Sequence, residues 1–357
     1  MHRYWSLTAR FFMLLASAGA LSAQARFIRL GKPGFASGIS ADGRIVVGVY
    51  GNFGPAFRWT AEEGMVNIGG VGFLARISRD GRTIVSNAKD SSGITSAAIW
   101  QGGQNWRTLG GVPGNLPSGD TYSSVYGVSA DGSVIVGLAY LKQGNHAFRW
   151  DEQNGMVDLG SLHGKGSRAN VVSPDGHVTM GWDDDSTQTT GLLYDTWRGA
   201  IWWRGVERLV HPYGWIGAAE ATNYSGSIVV GQGHPAAPTH AYMYTAWDGR
   251  IEDLGALDRG ITPDQKARED RSTAFAVSDD GPVVVGESGY QPPVDAFIWT
   301  PVTKMVKLSD YLKANGAMGL DGWWLVGAGA ITPDGKTIAG TGRNPEGQME
   351  GWVAVLP

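Results

Sequence analysis

One phrase of the sequence is written seven times: ISADGRIVVG from Ile39, ISRDGRTIVS from Ile77, VSADGSVIVG from Val128, VSPDGHVTMG from Val172, NYSGSIVVG from Asn223, VSDDGPVVVG from Val277 and ITPDGKTIAG from Ile331. An apolar pair, an Asp-Gly and a β-branched run describe two short strands joined by a turn, because Gly reaches positive φ without steric cost. We expect a tight two-residue hairpin there.

Two further phrases complete each unit. HAFRWD from His146 recurs as AFRWT at Ala56, AAIWQ at Ala97, AIWWR at Ala200, HAYMYT at His240, DAFIWT at Asp295 and EGWVAV at Glu350. GMVDLG from Gly155 recurs as GMVNIG at Gly64, NWRTLG at Asn105, VERLV at Val206, RIEDLG at Arg250 and KMVKLS at Lys304. Four short strands per unit of roughly 40 to 55 residues are the mark of a β-propeller blade, and stacked blades bury one another's faces. The reading is all-β: a seven-bladed propeller of four-stranded blades. After EGWVAVLP there is no fourth strand, whereas ARFIRLG (Ala25 to Gly31) reads as an orphan one. The last blade should therefore be closed by the N-terminal strand.

The 54 Gly among 357 residues suit such a turn-rich chain. A formal charge of -4 and no basic stripe argue against nucleic acid as a partner. His2, Arg3 and Arg10 precede the apolar run Phe11 to Leu21, with small residues ending at Ala23 and Ala25. This is the pattern of a secretory signal, and the run is shorter than the ~20 residues of a spanning helix. Residues 1–25 are read as a signal peptide and 26–357 as one propeller domain, secreted to the extracellular space or periplasm, with no membrane span in the mature chain. With no Cys, stability rests on packing without disulfides.

The repeated phrases resemble the HAF-repeat family of bacterial extracellular repeat proteins, over essentially the whole mature chain. The resemblance implies a surface or secreted protein. Some relatives carry an autotransporter barrel; no such barrel precedes Pro357, so self-display on an outer membrane is not expected here.

Residues that recur at one register are read as scaffold. Trp59, Trp100, Trp150, Trp203 and Trp299 share one core position of the third strand, with Phe57, Phe148 and Phe297 two residues earlier on the same face. His146 and His240 are read as edge hydrogen-bonders. Asp42, Asp80, Asp131, Asp175, Asp280 and Asp334 are read as turn formers. KLSDYLKANG (Lys307 to Gly316) reads as a short amphipathic helix.

Function should then lie where units differ. The connections from second to third strand, and from fourth strand to the next blade, emerge on one ring face and are the long ones, from Gly110, Trp182, His211, Gly255 and Ser309. The favoured reading is a binding propeller whose ligand is an extracellular glycan, with Trp197, Tyr213, Trp215, His163 and Arg271 as ligand-binding candidates. Aromatic faces cover the apolar side of a sugar, and polar groups meet its hydroxyls. The alternative is a polysaccharide lyase or glycoside hydrolase, for which His211, His234, Tyr194, Asp183 and Asp195 are the catalytic candidates. A third is an interaction module for a cell-surface protein. No cofactor is required; calcium is the alternative considered, but WDDDSTQ (Trp182 to Gln188) lacks the Asp alternation and Gly of a calcium loop.

Overall fold

The computed structural model describes residues 24–357, apart from 52, 104, 143, 186–195, 211–215, 235–238, 261, 263–264, 266–269, 280–281 and 290–291. Seven four-stranded antiparallel sheets form a ring, as the repeats required. In each blade the first strand lines the axis and the fourth lies outermost. In blade seven the outermost strand is Arg26–Pro33, which pairs antiparallel with Met349–Val355 in the register Arg26↔Val355 to Arg29↔Trp352. The two ends of the chain thus share one sheet. Among the described residues no helix is long and apolar enough to cross a membrane.

The turn between first and second strands is longer than the two-residue hairpin expected. Ser40 N–H donates to Ile45 O at 2.9 Å and Gly43 N–H to Ser40 O at 2.9 Å, so the loop holds residues 41–44 and only Gly43 has positive φ, 72°. The Ser explains the difference. Its hydroxyl donates to Asp42 Oδ1 at 2.6 Å and accepts from Ile45 N at 3.0 Å, while Asp42 also caps Arg44 N at 3.1 Å. The same hydroxyl-to-carboxylate bond forms at Ser78–Asp80, Ser129–Asp131, Ser173–Asp175 and Thr332–Asp334. These aspartates are turn formers; Asp280 lies outside the described residues.

The Gly within the second strand has a packing cause. A Cβ on Gly137 would lie 2.1 Å from Ser124 O and 2.8 Å from the Phe148 ring. Blade two carries Ser86 at that place, and opposite it Ala98 replaces the phenylalanine. Volume lost on one strand admits volume on the other.

Trp59, Trp150 and Trp299 are buried as expected. In blade four the expected residue is wrong by one. Trp202, paired with Thr179, is 3% exposed, whereas Trp203 is 46% exposed. Ala200 holds the phenylalanine position opposite Gly181, and a one-residue slip moves a side chain to the other sheet face.

The ends of the HAF and DLG phrases meet. His146 Nδ1 lies 3.0 Å from Asp158, and His240 Nδ1 3.0 Å from Asp253. At the equivalent places blade six pairs Asp295 with Lys307 at 2.6 Å, and blade seven pairs Glu350 with Arg29 at 2.9 Å. The contact persists while its polarity inverts. The helix Leu308–Ala314 buries Leu308 and Leu312 between the last two blades, in a cluster with Ile298 and Trp352. Asn315 O then accepts from Ala25 N at 2.9 Å, tying the N-terminal strand to the helix end.

Candidate functional site

The seven first strands run from the long-loop side of the ring to the Asp-Gly side. In six of them a one-residue bulge falls at the same place, at Ser37, Tyr126, Asn170, Glu220, Phe275 and Gly329. A bulge re-aims the side chain it carries, and all six residues line the axial cavity of about 170 Å³. Equal backbones thus present unequal side chains, which makes the axis the most individual part of a repetitive molecule.

The cavity holds charges that the protein itself only partly pairs. Arg76 Nε donates to Tyr126 O at 3.2 Å and Nη1 to Ser37 O. Glu220 faces the lumen, and no hydrogen bond reaches its carboxyl from the described residues. Burial raises the Glu220 carboxyl above its ordinary value, against the pull of Arg168 and Arg76. Burial likewise lowers the Arg76 guanidinium, while Glu220 acts to raise it.

At the Asp-Gly side the axis is closed. Arg79 of blade two reaches across the ring to Asp279 of blade six, with Nη2 2.9 Å from Oδ1. Tyr224 of blade five donates its N–H to the same Asp279 oxygen at 2.7 Å, and its ring lies 5.3 Å beneath the Arg79 guanidinium. Around this closure the turns are stitched by Ala41 N→Arg79 O, Ala130 N→Pro174 O and Asp279 N→Pro333 O.

Toward the long-loop side Tyr126 of the axial wall adjoins Arg168 and a tryptophan pair from the second and third strands of blade four. Arg168, second residue of its inner strand, holds its guanidinium 4.4 Å from the Tyr126 ring centroid, 5.3 Å from Trp182 and 5.5 Å from Trp197. Trp182 and Trp197 stack at 4.3 Å with 5° between planes. Arg168 Nε donates to Asn170 Oδ1 at 2.6 Å and Nη1 to Tyr126 Oη at 3.4 Å. The guanidinium has five N–H donors, and among the described residues no hydrogen bond from Nη2 is made. A cation pinned between π faces is oriented before any ligand arrives.

Of the residues nominated from sequence, Trp197 belongs to this cluster around Arg168. His163 and Asp183 meet elsewhere in blade four: His163 Nδ1 bonds Asp183 Oδ1, and Asp183 Oδ2 accepts from Leu162 N at 2.9 Å. Asp183 is fully buried and anchors the loop entering blade four. Its neighbour Glu207 is pushed up to about 8 by burial first and then by the Asp183 charge. Arg271 immediately precedes the inner strand of blade six, two blades further round. Tyr194, Asp195, His211, Tyr213 and Trp215 lie outside the described residues, as does the side chain of His234. Among the described residues no group of three or more His, Asp and Glu side chains is gathered for a metal ion.

Arg76, Tyr126, Arg168, Trp182 and Glu220 were not singled out from sequence. A signal existed: they fall in the columns just before and after the phrase, where the seven copies disagree.

No protein-family model and no curated protein matches the sequence. Among solved structures the fold is similar to oligogalacturonate lyase from Vibrio parahaemolyticus, with TM-score 0.57 and 13% identity over 94% of this chain and 98% of that one. It is also similar to an oligogalacturonate lyase in complex with manganese, with TM-score 0.55 and 13% identity over 93% and 91% of the two chains. The β-propeller domain of the Trilobed protease from Pyrococcus furiosus gives TM-score 0.54 and 10% identity over 90% and 93%. At such identities the likeness is one of fold.

Proposed function

We propose that the protein is a secreted or cell-envelope binding propeller, related to the HAF-repeat proteins its phrases resemble, and that it receives an acidic extracellular glycan on the long-loop side of its axis. One observation carries the reading: the Arg168 guanidinium held against Tyr126, Trp182 and Trp197. A sugar ring presents a C–H face to an aromatic plane, and a uronate carboxylate accepts paired N–H donors from a guanidinium. The leader-like residues 1–25 support export.

The test is retention in an affinity gel loaded with polygalacturonate, against a neutral glucan. The wild type should be slowed by the acidic polymer and not by the neutral one, and Arg168→Ala should remove most of the retardation. Equal mobility of wild type and Arg168→Ala in the acidic gel would refute the reading. New unsaturated or reducing ends in the same incubation would replace binding with turnover, and make lyase or hydrolase chemistry the activity.

A further inference from the structure

The tryptophans of the third strands do a second thing at the seams between blades. Between blades one and two a cavity of about 390 Å³ is lined by Arg58, Ile68 and Trp100. Between blades three and four a cavity of about 510 Å³ is lined by Arg149, Leu159 and Trp202. These are the same three positions of the repeat: the residue after the phenylalanine, the apolar residue of DLG, and the next blade's third-strand tryptophan. Both cavities open on the Asp-Gly side, away from the axial site, and their volumes suit a sugar-sized ligand.

The seam between blades two and three shows what such a space accepts. Ile99 takes the arginine position there, and Arg107 of the neighbouring strand lays its guanidinium 5.2 Å from the Trp150 ring centroid while holding the Glu152 carboxylate at 2.9 and 3.1 Å. A planar group on the tryptophan and a carboxylate on a guanidinium thus already coexist in one seam.

Beyond the seam-facing Trp202, the cavity between blades three and four also reaches Trp203 and Arg204 at the blade-four turn. Trp203, 46% exposed, carries the Arg204 guanidinium 4.8 Å from its ring centroid. Arg204 sits at φ 53° in the two-residue turn before Gly205, a conformation that favours Asn or Gly. A residue kept against its backbone preference points to a role for its side chain.

We propose that these two seams are binding sites separate from the axis. Each takes one carboxylate-bearing sugar residue, with its ring against Trp100 or Trp203 and its carboxylate against Arg58, or against Arg149 and Arg204. Arg58 already holds the Glu63 carboxylate at 2.5 Å, whereas Arg149 gives Nη1 to the Gly176 carbonyl at 2.6 Å and has its nearest paired carboxylate, Asp151, only at 3.9 Å. The seam between blades three and four is therefore the tighter of the two.

The test labels the protein with 5-fluorotryptophan, assigns resonances by single substitutions, and titrates trigalacturonate followed by ¹⁹F NMR. Saturable shifts of Trp203 and Trp100, with Trp203 saturating at lower concentration, are expected. Trp203→Ala with Arg204→Gly should weaken the blade-four seam by about tenfold or more while Trp100 still responds. Shifts confined to Trp182 and Trp197 would overturn the seam sites and leave the axial reading standing. Shifts at the seams alone would do the reverse. No shift anywhere, or equal shifts with neutral maltotriose, would overturn an acidic-sugar site at the seams.

Discussion

Glu350 and Arg29, separated by 321 residues, form an ion pair at 2.9 Å between the last two strands of blade seven. The Glu350 side chain is nearly buried and also accepts from Gly31 N at 2.9 Å and Asn344 Nδ2 at 2.8 Å. This carboxylate fastens the first strand of the chain to the last. Glu350→Ala leaves those donors without their acceptor and should cost roughly 2–4 kcal/mol. Because the ring closes through this sheet, the loss should appear as one earlier cooperative transition in urea, and deletion of Phe27 to Leu30 should act in the same direction more strongly. A separate early phase confined to blade seven would contradict closure of the whole ring through this strand.

Acid should report on the same group. Burial works to raise the Glu350 carboxyl, but the bonds from Arg29, Asn344 and Gly31 outweigh it and hold it below its ordinary value. Its contribution is therefore complete above the ordinary carboxylate range and disappears as pH falls through the lowered folded value. Between about pH 5 and pH 3 the wild type should lose more stability than Glu350→Gln, measured by the urea midpoint at each pH.

The histidine pairs run the other way. The Asp158 hydrogen bond raises His146 against the effect of burial, and Asp253 does the same for His240. Groups raised on folding contribute fully below about pH 6.5 and lose that contribution as pH rises through the folded value. A His146→Asn, His240→Asn variant should be less stable than the parent at pH 6 and approach it by pH 9. A constant gap across that range would show the imidazoles acting only as neutral packing.

Trp202 and Trp203 separate face from composition. Trp202→Ala empties a seam position that is 3% exposed and should cost about 3–5 kcal/mol, while Trp203→Ala, at 46% exposure, should cost under about 1 kcal/mol. Denaturant midpoints of the two variants decide the register of blade four.

Gly137→Ala should destabilise by roughly 1–3 kcal/mol or more, since its Cβ meets the Ser124 carbonyl as well as the Phe148 ring. Shrinking Phe148 should relieve only part of this, because the carbonyl remains. Full rescue by the double variant would place the whole conflict on the ring.

The architecture was readable because the blades share a local grammar, with contacts such as Ser40–Asp42 at the turn and His146–Asp158 at the edge recurring in several of them within a few dozen residues. The axial site was not. Arg76, Tyr126, Arg168 and Glu220 come from four blades, and their encounter depends on ring closure and on a bulge that leaves no composition of its own. The Trp203 error has a local cause, since two adjacent tryptophans offer two registers and only the pairing of Ala200 with Gly181 chooses between them.

Arg79 and Asp279 bridge the axis at its Asp-Gly end, so on the binding reading proposed above the axis is a well with one mouth. On that reading whatever enters from the long-loop side leaves by the same opening, and a polymer neither threads through nor slides along. Such a ligand would insert a terminus. Occupancy of this well would then follow the number of chain ends in solution rather than the mass of polymer, and fragmenting a glycan would create sites for the protein where an intact strand offers one.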